Sequence, residues 1–172
     1  MRNPINKKVA FVSIFTFTAF VPALAVAAIH VELGVANMAL YVIDNDARCP
    51  DAEIDCIQTT RGDEPDIFFD LDKACKPDGP QYKLSQFRIA MAEKQWPNPD
   101  FPLPGYAARD FNADPNTGVV DLSAGNNQLK DDRIKLKDSN SDVYTVYYEV
   151  QAVPCAGGDP IVLDPAVRNT GK

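Results

Sequence analysis

Histidine is almost missing from this chain, and His30 is the only one. Any hydrolytic arrangement that uses an imidazole as base, Ser/His/Asp or Cys/His, would have to be built on that residue. No G-x-S-x-G elbow supplies a serine nucleophile. The cysteines show no C-x-x-C spacing, and one imidazole is a poor basis for a Cys/His metal site. There is no cofactor loop, and no segment carries a convincing apolar stripe at helical period. Positive charge is scarce too: 17 basic residues stand against 24 acidic ones, a net charge of −7. That deficit argues against nucleic acid or an anionic membrane surface as a partner, because both call for basic patches. What is present in quantity is turn material. Fourteen prolines and nine glycines point to many turns and short elements rather than long helices.

The N-terminal segment reads as a targeting signal. Arg2, Lys7 and Lys8 precede an apolar run from Val9 to Val21, followed by Pro22 and Ala23-Leu24-Ala25-Val26-Ala27-Ala28. A basic start, an apolar middle and an A-x-A site are the layout of a secretory signal peptide. It would occupy residues 1–27 as a helix, with cleavage after Ala25 or Ala27. Retention as a membrane anchor is the alternative, since Val9 to Ile29 is about the 20 residues a span needs. Pro22 and the alanines favour cleavage. The expected destination is secreted or periplasmic, with residues 28–172 forming one domain. Without Arg2, Lys7 and Lys8 the 17 basic residues fall to 14 against 24 acidic ones, a charge near −10.

Four cysteines remain in that domain: Cys49, Cys56, Cys75 and Cys155. In an exported chain an even number reads as two disulfides, and three pairings are open. The favoured one clips a loop with Cys49–Cys56 and ties distant strands with Cys75–Cys155. Period-two alternation dominates the rest. Ile29 to Val35 and Met38 to Ile43 read as strands, and Asp44 to Pro65 as a long clipped loop. Further strands are expected at Asp66–Leu71, Leu84–Ala92, Val119–Leu122, Arg133–Lys137 and Ile161–Leu163. Trp96 to Pro104 (WPNPDFPLP) cannot hold a ladder. Val143 to Val153 is the clearest strand, with Tyr144, Val146, Tyr148, Val150 and Ala152 on one face. Thr145, Tyr147, Glu149 and Gln151 lie on the other. About eight short strands predict an all-β antiparallel sandwich with Val143–Val153 central and the Ile161–Asn169 tail beside it.

Three groups of residues bear on chemistry. Asp110, Asn112, Asp114 and Asp121 place oxygen donors at positions 1, 3, 5 and 12 of a calcium-type loop. Pro115 stands where such a loop needs glycine, and Asp121 where it needs a longer glutamate. Asp/Asn/Pro/Gly clusters are also ordinary turn material, which is the favoured reading. The acidic stretch Asp44, Asp46, Asp51, Glu53 and Asp55 has no ligand periodicity and reads as a solvated loop. His30 as an N-terminal copper ligand would need cleavage after Ile29 and further imidazoles, so a plain strand residue is expected. Trp96, Phe101 and Tyr106 offer an aromatic platform for a sugar, although loop anchoring explains such residues more often.

The C-terminal half carries a further pattern. Asp138-Ser139-Asn140 precedes the strand Val143-Tyr144-Thr145-Val146-Tyr147-Tyr148-Glu149-Val150, followed by Gly157-Gly158 and the tail Asp164-Pro165-Ala166-Val167-Arg168-Asn169. That order resembles the DP-EP family of small bacterial proteins, across roughly Ile67 to Asn169, with Phe68, Phe69, Leu71 and Trp96 in support. No Glu-Pro follows the Asp-Pro here, and the pattern accounts for neither the cysteines nor the Asp44–Pro65 insertion. The resemblance implies an immunoglobulin-like β-sandwich and no catalytic residues. The expected function is non-enzymatic: binding, structure or assembly through loops or a sheet edge, with a protein or glycan partner. A calcium-dependent carbohydrate-binding or carbohydrate-active protein is the alternative.

Overall fold

A computed structural model describes residues 27–50, 56–92, 95–139, 143–163 and 166–170. The expected signal segment, apart from Ala27, lies outside the described residues, as do Asp51 to Asp55, Asn140 and the Asp164-Pro165 pair. Among the described residues ten strands and one short helix follow in order: β1 (Ile29–Ala36), β2 (Ala39–Asn45), β3 (Ile57–Thr60), β4 (Asp66–Asp70), β5 (Tyr82–Ala90), α1 (Gly105–Phe111), β6 (Gln128–Lys130), β7 (Arg133–Lys137), β8 (Thr145–Pro154), β9 (Ile161–Leu163) and β10 (Ala166–Thr170). They form two sheets. One has the order β2-β1-β4-β7-β6 and the other β3-β10-β8-β5, with β9 also on β8.

Alternation decides which face of each strand meets the other sheet. Val31 and Leu33 on β1, Ile67 and Phe69 on β4, and Ile134 and Leu136 on β7 are buried. Leu84, Phe87 and Ile89 on β5 and Val146, Tyr148, Val150 and Ala152 on β8 face them from the second sheet. Three rings tie the layers. Phe69 lies 5.2 Å from Phe87 and 5.3 Å from Tyr148, and Phe87 stacks on Tyr148 at 5.3 Å. Such aromatic contacts add to the burial of about 1.5–3 kcal/mol per large side chain. As expected, the tail pairs beside β8: Val162 opposes Gln151 and Val167 opposes Val146, in a single register.

Three expectations need correction. The sheets are not wholly antiparallel, because β1 pairs with β4 and β10 with β3 in parallel. The reason is a change of sheet: after the β1–β2 hairpin the chain crosses to the second sheet as β3, then re-enters the first beside β1. And the Asp44–Pro65 stretch is not only a loop. Ile57–Thr60 within it forms β3, with Ile57 and Thr59 buried. Val119–Leu122, expected as a strand, makes only isolated bridges, from Val119 to Arg88 and Val120 to Ala113.

The β1–β2 hairpin turns at Asn37 and Met38, with φ of 51° and 59°. Two consecutive positive φ values in a two-residue hairpin loop are what asparagine-glycine normally supplies. Methionine here is strained, and its side chain is 78% exposed with little packing to offset that. Met38→Gly is expected to stabilise the fold by about 0.5–1 kcal/mol, the relief of strain exceeding glycine's entropic cost. Urea unfolding checks this, and a lower midpoint for the variant would refute it.

Candidate functional site

An open groove of about 1020 Å³ lies between the outer ends of the two sheets. One wall is β5 at Ser85 and Gln86, where the register against β8 slips between Leu84 and Gln86 to form a bulge. The other wall is β6, and Val119 to Ser123 lie between them. Local chemistry fixes this lining. Gly118 has φ of 72°, and a Cβ built on it would come within 2.1 Å of the Ile89 carbonyl oxygen, so only glycine lets the chain press this close to β5. The Ile89 N–H donates to the Gly118 carbonyl at 2.8 Å and the Val120 N–H to that of Phe87 at 2.9 Å. Asn127 is buried at the base, donating through Nδ2 to the Phe111 and Asp121 carbonyls and accepting from the Lys137 N–H.

The calcium-type residues enter this region in separate roles. Asp110 is buried, 1% exposed, on the inner face of α1. It accepts a 2.8 Å bond from the Tyr144 hydroxyl. Asn112 is the left-handed C-cap of the helix. Asp114 Oδ1 accepts from the N–H groups of Asn116 and Thr117, and Asp121 Oδ1 from the main-chain N–H and the hydroxyl of Ser123. These are turns closed by aspartate side chains. The Ser123 bonds hold the Asp121 carboxyl below its ordinary range. Among the described residues no three His, Cys, Asp or Glu side chains gather to hold a metal ion. Asp114 and Asp121 close two turns of the groove, and Asp110 binds the Tyr144 hydroxyl from the helix.

Tyr144 is pushed well above the ordinary phenol range, first by burial, then by its bond to Asp110 and the nearby Asp138 charge. Both carboxylates disfavour a phenolate. The unfolded chain ionises near pH 10, where native Tyr144 remains protonated. Above that pH the unfolded state binds fewer protons, so stability is lost as pH rises. Wild type is expected to lose stability more steeply above pH ~10 than Tyr144→Phe. Parallel alkaline profiles would show that Tyr144 is not the group responsible.

The three aromatic residues do not form one platform. Trp96 and Phe101 line a cleft of about 560 Å³ with Met91, Pro97 and Leu103. Tyr106 turns instead to Tyr144, with ring centroids 5.0 Å apart. Trp96 carries the Arg88 guanidinium 3.9 Å from its ring centroid. Arg88 in turn donates twice to Glu149, at 2.8 Å from each nitrogen. Glu149 sits on the face of β8 opposite Tyr148 and Val150, yet it is only 5% exposed beneath this lid. His30 is a β1 residue, as expected, stacked on Phe68 at 4.9 Å and 3.1 Å from Asp70.

Both disulfides pair in the favoured way, Cys49 with Cys56 and Cys75 with Cys155. Ser85, Gln86 and Gln128 to Lys130 escape sequence reasoning as site residues. One signal was available: inward residues Leu84 and Phe87 are three apart, where an uninterrupted strand would space them by two. Compared with known proteins, the chain matches no protein-family model and no curated protein. Among the described residues no helix is long and apolar enough to cross a membrane.

Proposed function

We propose that this protein is a secreted or periplasmic, non-enzymatic binding module, an immunoglobulin-like β-sandwich similar to the DP-EP family, acting through the groove between β5 and β6. The observation that carries this reading is the groove itself: a large concavity at the ends of both sheets, held open by a bulge and by turns on a rigid scaffold. Loops and edges fixed by a packed core are where such scaffolds place their interactions. Among the described residues no aromatic ring lines the groove, which favours a protein partner over a glycan. Two disulfides accord with an oxidising compartment. The family likeness rests on the Asp138–Asn140 stretch, the β8 strand and the tail; the pairing of that tail with β8 is compatible with it.

Leu129→Arg tests this reading. Leu129 is 41% exposed on β6, so the substitution alters the groove without emptying the core. Capture of partners from the native extracytoplasmic fraction is expected to fall at least about tenfold, as for loss of a central contact. Met38→Ser, on the opposite side of the same sheet, serves as control and should capture normally. Equal capture by both, with both folded, would remove the groove from the function.

A further inference from the structure

We infer that the groove receives an extended peptide bearing lysine or arginine, which adds as a strand along β6 with its cations near Asp114 and Asp121. The inference deepens the reading above and rests on it. Three features of the groove lead to this occupant rather than another.

The first is an unused strand edge. β6 ends its sheet, all three of its residues are exposed, and among the described residues no strand pairs with its outer side. Such an edge presents main-chain donors and acceptors that an extended peptide satisfies whatever its sequence. The opposite wall is already occupied for most of its length. Leu84 donates to Asp131, and Phe87 and Ile89 bond to Val120 and Gly118. Only the Ser85 bulge lies uncovered between those bonds, which gives the peptide width rather than a second partner strand.

The second feature is the lining. Val119, Val120, Leu122 and Leu129 supply apolar surface, and Ser85, Gln86, Thr117 and Asn127 supply small polar groups. Alternate side chains of a strand point to opposite sides, and a wall of mixed character accepts both sets. The third feature is charge. Asp114 and Asp121 face a single cation, Lys130, among the lining residues. The Oδ2 atom of Asp114 has no protein partner among the described residues. Because the whole chain is at −7, its field favours a cationic visitor.

The test is fluorescence anisotropy on the full, disulfide-bonded protein with three probes. One is a short peptide alternating lysine with valine or threonine. The second replaces every lysine with glutamate, and the third is the lysine peptide with alternate amides N-methylated. The lysine probe is expected to bind at least about tenfold more tightly than the glutamate probe, and progressively less tightly as salt rises. N-methylation should cost about tenfold or more, because it removes main-chain donors. Asp114→Asn with Asp121→Asn preserves the turn-closing oxygens and should bring the lysine and glutamate probes close together. Equal binding of those two probes to wild type, indifference to N-methylation, or no binding at all would overturn the inference. If Leu129→Arg still abolishes partner capture in that event, the groove remains the binding site and only the peptide class is wrong. If capture is also unaffected, both readings fall.

Discussion

Replacing Cys75 and Cys155 together by alanine is expected to lower the unfolding free energy by about 4 kcal/mol, against about 2.5 kcal/mol for the Cys49 and Cys56 pair. The difference follows from loop size. The first bridge spans 80 residues of sequence and the second only 7. Cross-linking distant points removes more freedom from the unfolded chain, and that freedom grows with the logarithm of loop length. Local burial runs the other way, since Cys49 and Cys56 are 1% and 4% exposed and their loss also disturbs packing. A larger effect from the Cys75–Cys155 pair therefore stands against the trend that burial alone would give. Denaturant unfolding of both double variants decides it, and equal midpoints would sink the loop-length account.

Arg88→Ala is expected to cost about 3 kcal/mol, for a reason unrelated to its own burial. Its two bonds to Glu149 and its ring contact with Trp96 together keep water from a carboxylate that is 5% exposed. Without the guanidinium that charge is stranded, with Gln151 Nε2 as its remaining side-chain donor among the described residues. A combined Arg88→Met and Glu149→Leu variant should recover most of the loss, because it leaves no lone charge behind. If the single variant unfolds within about 1 kcal/mol of wild type, Glu149 is better solvated than its position implies.

How much of this was legible beforehand depends on the range of the interaction. The β8 alternation of Val146, Tyr148, Val150 and Ala152 is a local signal, and these side chains are buried as read. Helix α1 was hidden because it is only seven residues long and its buried face, Ala107, Asp110 and Phe111, includes a carboxylate. Nothing apolar marks position 110; the Tyr144 hydroxyl 34 residues away makes it an inside residue. The burial of Glu149 is illegible for the same cause, since its cover comes from Arg88, 61 residues earlier. Strand β3 is four residues in a polar, cysteine-bearing stretch, too short for its period to register. The groove is the least legible part, because its walls are ends of two sheets and become neighbours only through strand order.

That strand order also has a temporal side. β10, at residues 166–170, is not a border strand but sits between β3 and β8. A chain that emerges from its N-terminal end therefore carries β3 and β8 with a vacant place between them until residue 170 is free. For all that interval two strand borders are open to wrong partners, and the step that fills the gap joins segments more than 100 residues apart, as when Val167 meets Ile57. Closure over such separations is slow. Assembly of this molecule thus ends with an insertion rather than an addition, and holding the unfinished chain apart from its copies is a requirement set by its topology.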